Sequence, residues 1–187
     1  VLTTELDEED IAPRLEREAR VLAALKHPGI VAVHDAGRLA DGRPFYVMKL
    51  VRGRRLDDQG HLTGQGQLLR LFLSVCDAVS FAHSRGVIHR DLKPANVMVG
   101  EFGEVLVLDW GVAKVAGEKP EATGHRPQAT GDSSDSLAVG TPGFMAPEQV
   151  ARGAIDARTD VFGLGAMLAD LLGGDVPPAL RAIVARA

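Results

Sequence analysis

The chain has 187 residues, 45% of them apolar and 25% charged, which is enough for one domain with a sizeable core and excludes disorder throughout. Its formal net charge of −4, with no basic stripe interleaved with aromatics, gives no reason to expect a nucleic-acid partner. Cys76 is the sole cysteine, so no internal disulfide can form. No secretory signal stands at Val1, and the most apolar run, Val161 to Leu172, is broken by glycines and too short to span a bilayer, so the chain reads as cytoplasmic without a membrane segment.

From about Glu8 to Lys26, Leu15, Ala19, Leu22 and Leu25 share one helical stripe, which His27-Pro28-Gly29 ends. Glu18 lies on that stripe; taken alone it reads as a surface carboxylate at the stripe edge, in a place where a charge turned inward needs a cationic partner. Ile30-Val31-Ala32-Val33 and Phe45-Tyr46-Val47-Met48 are strand candidates around an Asp41-Gly42 turn and read as an antiparallel pair. Val51 to Gly66 has no clear period and reads as a linker into a second lobe. Leu68, Leu71, Phe72, Val75, Val79 and Ala82 then mark a helix stopped at Arg85-Gly86, with Cys76 as a small core residue on it.

Next comes His89-Arg90-Asp91-Leu92-Lys93-Pro94-Ala95-Asn96, a loop with carboxylate, cation and amide within eight residues. Val97 to Val99, a turn from Gly100 to Gly103, and Val105 to Leu108 form a hairpin that returns the chain from Asn96 to Asp109. Two oxygen-bearing side chains thereby flank adjacent strands and can share a metal ion, for which magnesium is suited. Ala116 to Leu137 shifts to Gly, Ser, Thr, Pro and acids, which reads as mobile. It is either a plain solvated insert or a phosphorylated loop bearing Thr123, Thr130, Ser133, Ser134 and Ser136. A turn-rich stretch, Gly140 to Glu148, leads to a short helix through Val150. Asp160 then precedes a helix apolar nearly all round, and a last helical segment begins at Ala179.

His89 to Asn96 resembles the catalytic loop H-R-D-x-x-x-x-N of serine/threonine protein kinases. Asp109-Trp110-Gly111, eighteen positions beyond Asp91, resembles their Asp-Phe-Gly motif with Trp in place of Phe, and Ala146-Pro147-Glu148 matches their Ala-Pro-Glu signature. The resemblance implies an α+β, bilobal protein-kinase-like fold, with residues 1–51 the remnant of the N-lobe and hinge. Residues 52–187 would be a mainly helical C-lobe truncated at its end, with a long activation segment at 109–148. The overall tone resembles bacterial signalling kinases.

The same resemblance implies ATP and Mg2+ as cofactors and a protein substrate with a Ser/Thr acceptor. Asp91 would orient the attacking hydroxyl, Lys93 would stabilise the moving phosphoryl group, and Asn96 and Asp109 would hold magnesium. Thr141 would bond toward Asp91 and Lys93, although a phosphosite reading competes. Glu18 would be the helix glutamate that pairs with the nucleotide-binding lysine, Met48 the gatekeeper, and Lys49 and Val51 part of the hinge under the adenine. Lys49 stands where relatives are often acidic. Arg90 would receive an activation-segment phosphate, which brings in self-association for autophosphorylation, and Asp160 would brace the catalytic loop unless it is an ordinary helix-start acid.

A glycine-rich phosphate loop, the Val-Ala-x-Lys strand and the arginine that would pair with Glu148 are absent from the sequence, and Val1-Leu2 resemble residues just after that lysine. The expectation is therefore a fragment of low activity by itself. A pseudokinase or interaction scaffold, and a small-molecule phosphotransferase of kinase-like fold, are the alternative readings.

Overall fold

The computed structural model describes residues 8–58, 64–110, 113–115, 140–173, 177 and 180–181, with the backbone alone for 8–14. Readings that fall on Val1-Leu2, Gly111 or the hydroxyls from Thr123 to Ser136 lie outside the described residues.

Helix α1, Glu8–Ala24, realises the first apolar stripe. Ala19, Val21, Leu22 and Leu25 are buried, and His27 closes the end by accepting the Gly29 N–H at Nδ1, 3.0 Å. The hairpin that follows is antiparallel as expected, but its first strand is shifted. Strand β1 is Val33–Arg38 and β2 is Pro44–Met48, joined through Asp41-Gly42 with Leu39 and Arg43 bonded across the turn. Ile30 and Val31 are each only 2% exposed, so two successive side chains are buried, which a one-sided strand does not allow. They plug the core instead, where Ile30 makes a parallel bridge to Val107.

Residues read as a linker contain a strand, β3 (Gly53–Arg55), and a single 3-10 turn, Leu56–Asp58, whose Leu56 is buried. Helix α2, Gln65–Ser84, has the expected stripe: Leu71, Val75, Ala78, Val79 and Ala82 face the core while Leu73 is exposed. Cys76 is half-buried. Burial, helped by the charge of Asp77, pushes its thiol up to about 11, so it stays protonated and inert at neutral pH.

A two-residue strand, β4 (Val87–Ile88), enters the polar loop. Strands β5 (Val97–Gly100) and β6 (Val105–Val107) form the expected hairpin, and β3 adds to it on the outer side of β5 in the order β3-β5-β6, all antiparallel. Strand β7 (Lys114–Val115) pairs back with β4. Helix α3 is Pro147–Val150 and helix α4 is Ala157–Leu171. Contrary to the all-round apolar reading, α4 buries one face, with Thr159, Asp160, Gly163 and Met167, and leaves Val161 45% exposed. Leu180 and Arg181 are helical, as expected.

One apolar core joins Leu22 and Leu25 of α1, Val75 and Val79 of α2, Val97 and Val107 of the sheet, Trp110 and Met167. The polar loop therefore runs between an anchored helix and an anchored sheet, which fixes both of its ends.

Candidate active site

Strand β4 delivers the chain to His89, and a 3-10 turn at Pro94–Asn96 delivers it to β5. Between them the loop is organised by Asp160, which is 1% exposed in the first turn of α4. Its Oδ2 accepts the backbone N–H of His89 and its Oδ1 that of Arg90, both at 2.8 Å, while His83 of α2 meets Oδ2 through Nε2 at 2.7 Å. A buried carboxylate needs such compensation, and here it comes from the peptide N–H groups just before Asp91. The expected brace is present. His83, a further member of it, gave no sequence signal beyond its place in the last turn of α2.

Four expected residues converge. Lys93 Nζ donates to Asp91 Oδ2 at 2.8 Å and to Thr141 Oγ1 at 2.6 Å, and Thr141 Oγ1 donates to Asp91 Oδ1 at 2.8 Å. Asn96 Nδ2 donates to the Asp91 carbonyl at 2.8 Å and to Asp91 Oδ2 at 3.2 Å. Asp91 and Lys93 retain 11% and 22% side-chain exposure, so the carboxylate is held but still reachable. Residue 141, fifty positions away in sequence, is brought in by the turn in which the Phe144 N–H donates to the Thr141 carbonyl.

Asn96 and Asp109 lie at the ends of the β5–β6 hairpin, where the Leu108 N–H donates to the Asn96 carbonyl at 2.8 Å. Both side-chain hydrogen bonds of Asn96 use Nδ2, so its amide oxygen is the atom left for a cation. Asp109 is exposed and adopts φ 59°, a left-handed conformation uncommon outside glycine. One carboxylate and one amide oxygen fit magnesium, which takes its remaining ligands from water and phosphate. Among the described residues no group of three or more His, Cys, Asp or Glu could hold a metal without such help.

Glu18 of α1 is half-buried and faces Asp109. Burial pushes its carboxyl up and the Asp109 charge adds to this, while the Tyr46 hydroxyl and the Trp110 backbone N–H pull it back. The Tyr46 phenol is pushed up to about 12 by burial and by the Glu18 and Asp109 charges. Trp110 is 1% exposed, donates Nε1–H to the Val107 carbonyl at 3.2 Å, and packs tilted on His89 with ring centroids 4.6 Å apart. It is the expected aromatic plug.

The residues expected at a hinge are more open. Met48 is 47% exposed, Lys49 is exposed with its N–H donated to the Ala32 carbonyl at 3.0 Å, and Val51 is half-buried. None of these three joins the Asp91 cluster. Glu148 accepts a hydrogen bond from Thr159 Oγ1 at 2.7 Å. A cleft of about 430 Å³ between α1 and the β1–β2 hairpin, lined by Leu15, Ala19 and Phe45, shares no residue with the Asp91 cluster.

The sequence that builds this arrangement has known relatives. The protein kinase domain family matches residues 1–182. Serine/threonine-protein kinase PknB of Mycobacterium leprae is 36% identical over 170 residues, covering 88% of this chain and 26% of that protein. Serine/threonine-protein kinase PknD of Protochlamydia amoebophila is 35% identical over 188 residues, covering 89% of this chain and 19% of that protein. Serine/threonine-protein kinase pkn3 of Myxococcus xanthus is 36% identical over 181 residues, covering 93% and 32%. The chain spans about a quarter of the length of the first of these relatives. No helix among the described residues is long and apolar enough to cross a membrane. With a mixed α+β fold and a match along nearly its whole length, the chain belongs to the protein kinase domain family, and its similarity is to bacterial serine/threonine kinases.

Proposed function

We propose that the protein containing this chain transfers the γ-phosphoryl group of ATP to serine or threonine hydroxyls of a protein substrate, with Mg2+. The observation that carries this is the closed set of hydrogen bonds among Asp91, Lys93 and Thr141. A carboxylate with one edge on a hydroxyl and the other on an ammonium is oriented for an incoming hydroxyl, and the ammonium stands where negative charge would move.

Asp91 orients the acceptor hydroxyl and takes up its proton, and Lys93 neutralises charge on the phosphoryl oxygens. Thr141 fixes the angle between the two and presents the docking segment. Asn96 and Asp109 hold magnesium, Glu18 supports the nucleotide side, and Met48, Lys49 and Val51 border the adenine. When bound, Mg2+ neutralises the nucleotide phosphates and bridges them to the protein. We read residues 1–51 as N-lobe and hinge, 52–187 as C-lobe and 109–148 as the activation segment.

Arg90 receives the phosphate of a modified hydroxyl in that segment, placed there by a second copy of the protein. Arg17 of α1 is near enough that its charge, after burial, holds the Arg90 guanidinium below its ordinary range, while the Asp160 carboxylate acts in the opposite direction. The reaction takes place in the cytoplasm.

The test is transfer of labelled phosphate from ATP to Ser/Thr peptides by the full-length protein and its Asp91→Asn variant. The variant is expected to keep its fold and lose about 10²–10⁴-fold in kcat. Wild-type protein that labels no hydroxyl, or an equally active variant, overturns the reading.

A further inference from the structure

Gln149 is 8% exposed at the end of the first turn of α3, and its side-chain amide is used at both ends. Its Oε1 accepts the Ala146 backbone N–H at 2.9 Å, and its Nε2 donates to the Arg90 backbone carbonyl at 2.7 Å. The second bond crosses from the docking segment to the residue directly before Asp91.

That carbonyl belongs to the peptide plane between Arg90 and Asp91. The N–H of the same plane, that of Asp91, donates to His89 Nδ1 at 3.3 Å, and the preceding N–H, that of Arg90, donates to Asp160 at 2.8 Å. Because a peptide is planar, holding its oxygen and its nitrogen fixes the direction in which the Asp91 Cα leaves it, and the hydrogen bonds of the carboxylate then fix the side chain. Arg90 itself has φ 72°, a conformation that non-glycine residues keep only where the surroundings impose it. Asp160 imposes it from one side and Gln149 from the other.

The docking segment therefore grips Asp91 twice. Thr141 holds its carboxylate and Gln149 holds the peptide behind it. The two contacts are linked by short chain: an added Cβ at Gly140, beside Thr141, would stand 3.3 Å from Gln149 Nε2, and the amide also caps the start of α3 at Ala146.

We propose that Gln149 is a positioning residue for phosphoryl transfer, making the orientation of Asp91 depend on the seating of residues 140–149. This rests on the kinase reading given above. It adds that the segment that docks the acceptor peptide also sets the carboxylate that activates the acceptor hydroxyl.

The experiment compares full-length wild type with Gln149→Glu and Gln149→Leu. Glutamate keeps an oxygen for the Ala146 N–H but places a second oxygen against the Arg90 carbonyl. When protonated, it regains an O–H donor at that point. Leucine lacks both bonds at any pH. Expected for both variants is a loss of about 10–100-fold in kcat, since a small misplacement of a reacting group has effects of this size, with KM for ATP unchanged. The ratio of Gln149→Glu to wild-type kcat should rise as pH falls from 8 to 6, while the Gln149→Leu ratio stays flat.

Thermal unfolding measures whether each variant is folded, and either folded variant suffices for the kcat comparison. A folded variant with wild-type kcat, or a loss expressed only in KM for ATP, overturns the proposal. Hydrogen exchange at the Asp91 amide separates the two readings without any need for activity. If the wild-type protein transfers no phosphate, the kinase reading fails; faster Asp91 exchange in the variants still supports the tie, and unchanged exchange removes it.

Discussion

The two sides of the candidate site are held in different ways. On the catalytic-loop side, Asp91, Lys93, Asn96, Thr141 and Asp160 meet one another or the backbone at 2.6 to 3.2 Å. On the side proposed for the nucleotide, Asp109 is exposed, Met48 and Leu50 are 47% and 75% exposed, and Glu18 is burdened both by burial and by the Asp109 charge. The first side has its charges matched within the chain. The second brings two carboxylates into one neighbourhood, an arrangement that a bound cation stabilises. The difference separates what the chain preorganises from what a ligand completes.

Trp110 is where the sides meet, since its ring lies on His89 and its backbone N–H faces Glu18. Trp110→Ala is expected to cause the largest stability loss, about 3–5 kcal/mol, as for other large-to-small changes of buried aromatics. Urea unfolding at unchanged slope measures it. A loss below about 1 kcal/mol would mean that the sides are not joined through this ring.

Asp160→Asn attacks the preorganised side alone. Asparagine retains one acceptor oxygen but turns an NH2 toward a buried donor, the His89 or Arg90 N–H, with His83 beside it. The expected cost is about 1–3 kcal/mol, read from the same unfolding curves. Wild-type stability in this variant would show that the loop keeps its shape without the carboxylate, and the contrast between the two sides would collapse.

Much of this was legible in the sequence because it is local. The stripes of α1 and α2 and the β5–β6 hairpin follow from periodicity, and Asp91, Lys93 and Asn96 share one short loop. Thr141 and Asp160 were placed only by resemblance, since no spacing rule joins residues 50 to 71 positions apart. β3 escaped because Gly53-Arg54-Arg55 is exposed and apolar-poor; it is a strand only through its pairing with β5. Ile30-Val31 misled for the opposite reason, since a short apolar run fits a core plug as well as a strand. Gln149 and His83 carry one polar group each, and their weight comes entirely from the backbone and carboxylate they meet.

Glu18→Gln makes the same chemical change as Asp160→Asn on the other side, and its sign should differ. The folded pKa of Glu18 lies above its ordinary value of 4.5, so the folded state binds its proton more readily than the unfolded chain does. Stability from this group is then greatest in acid and falls as pH rises from 4.5 through the raised folded value. Above the raised folded value the whole burden is present, because the carboxylate is then charged, partly desolvated and near the Asp109 charge. Glutamine keeps the shape and removes the charge, so the midpoint of thermal unfolding at pH 7 should match or slightly exceed wild type. The gap should close below pH 4.5, where the wild-type carboxyl is protonated in both states. A Glu18→Gln protein less stable than wild type at pH 7 would mean that the carboxylate is already matched by a cation on the nucleotide side, and the two halves of the site would be held alike.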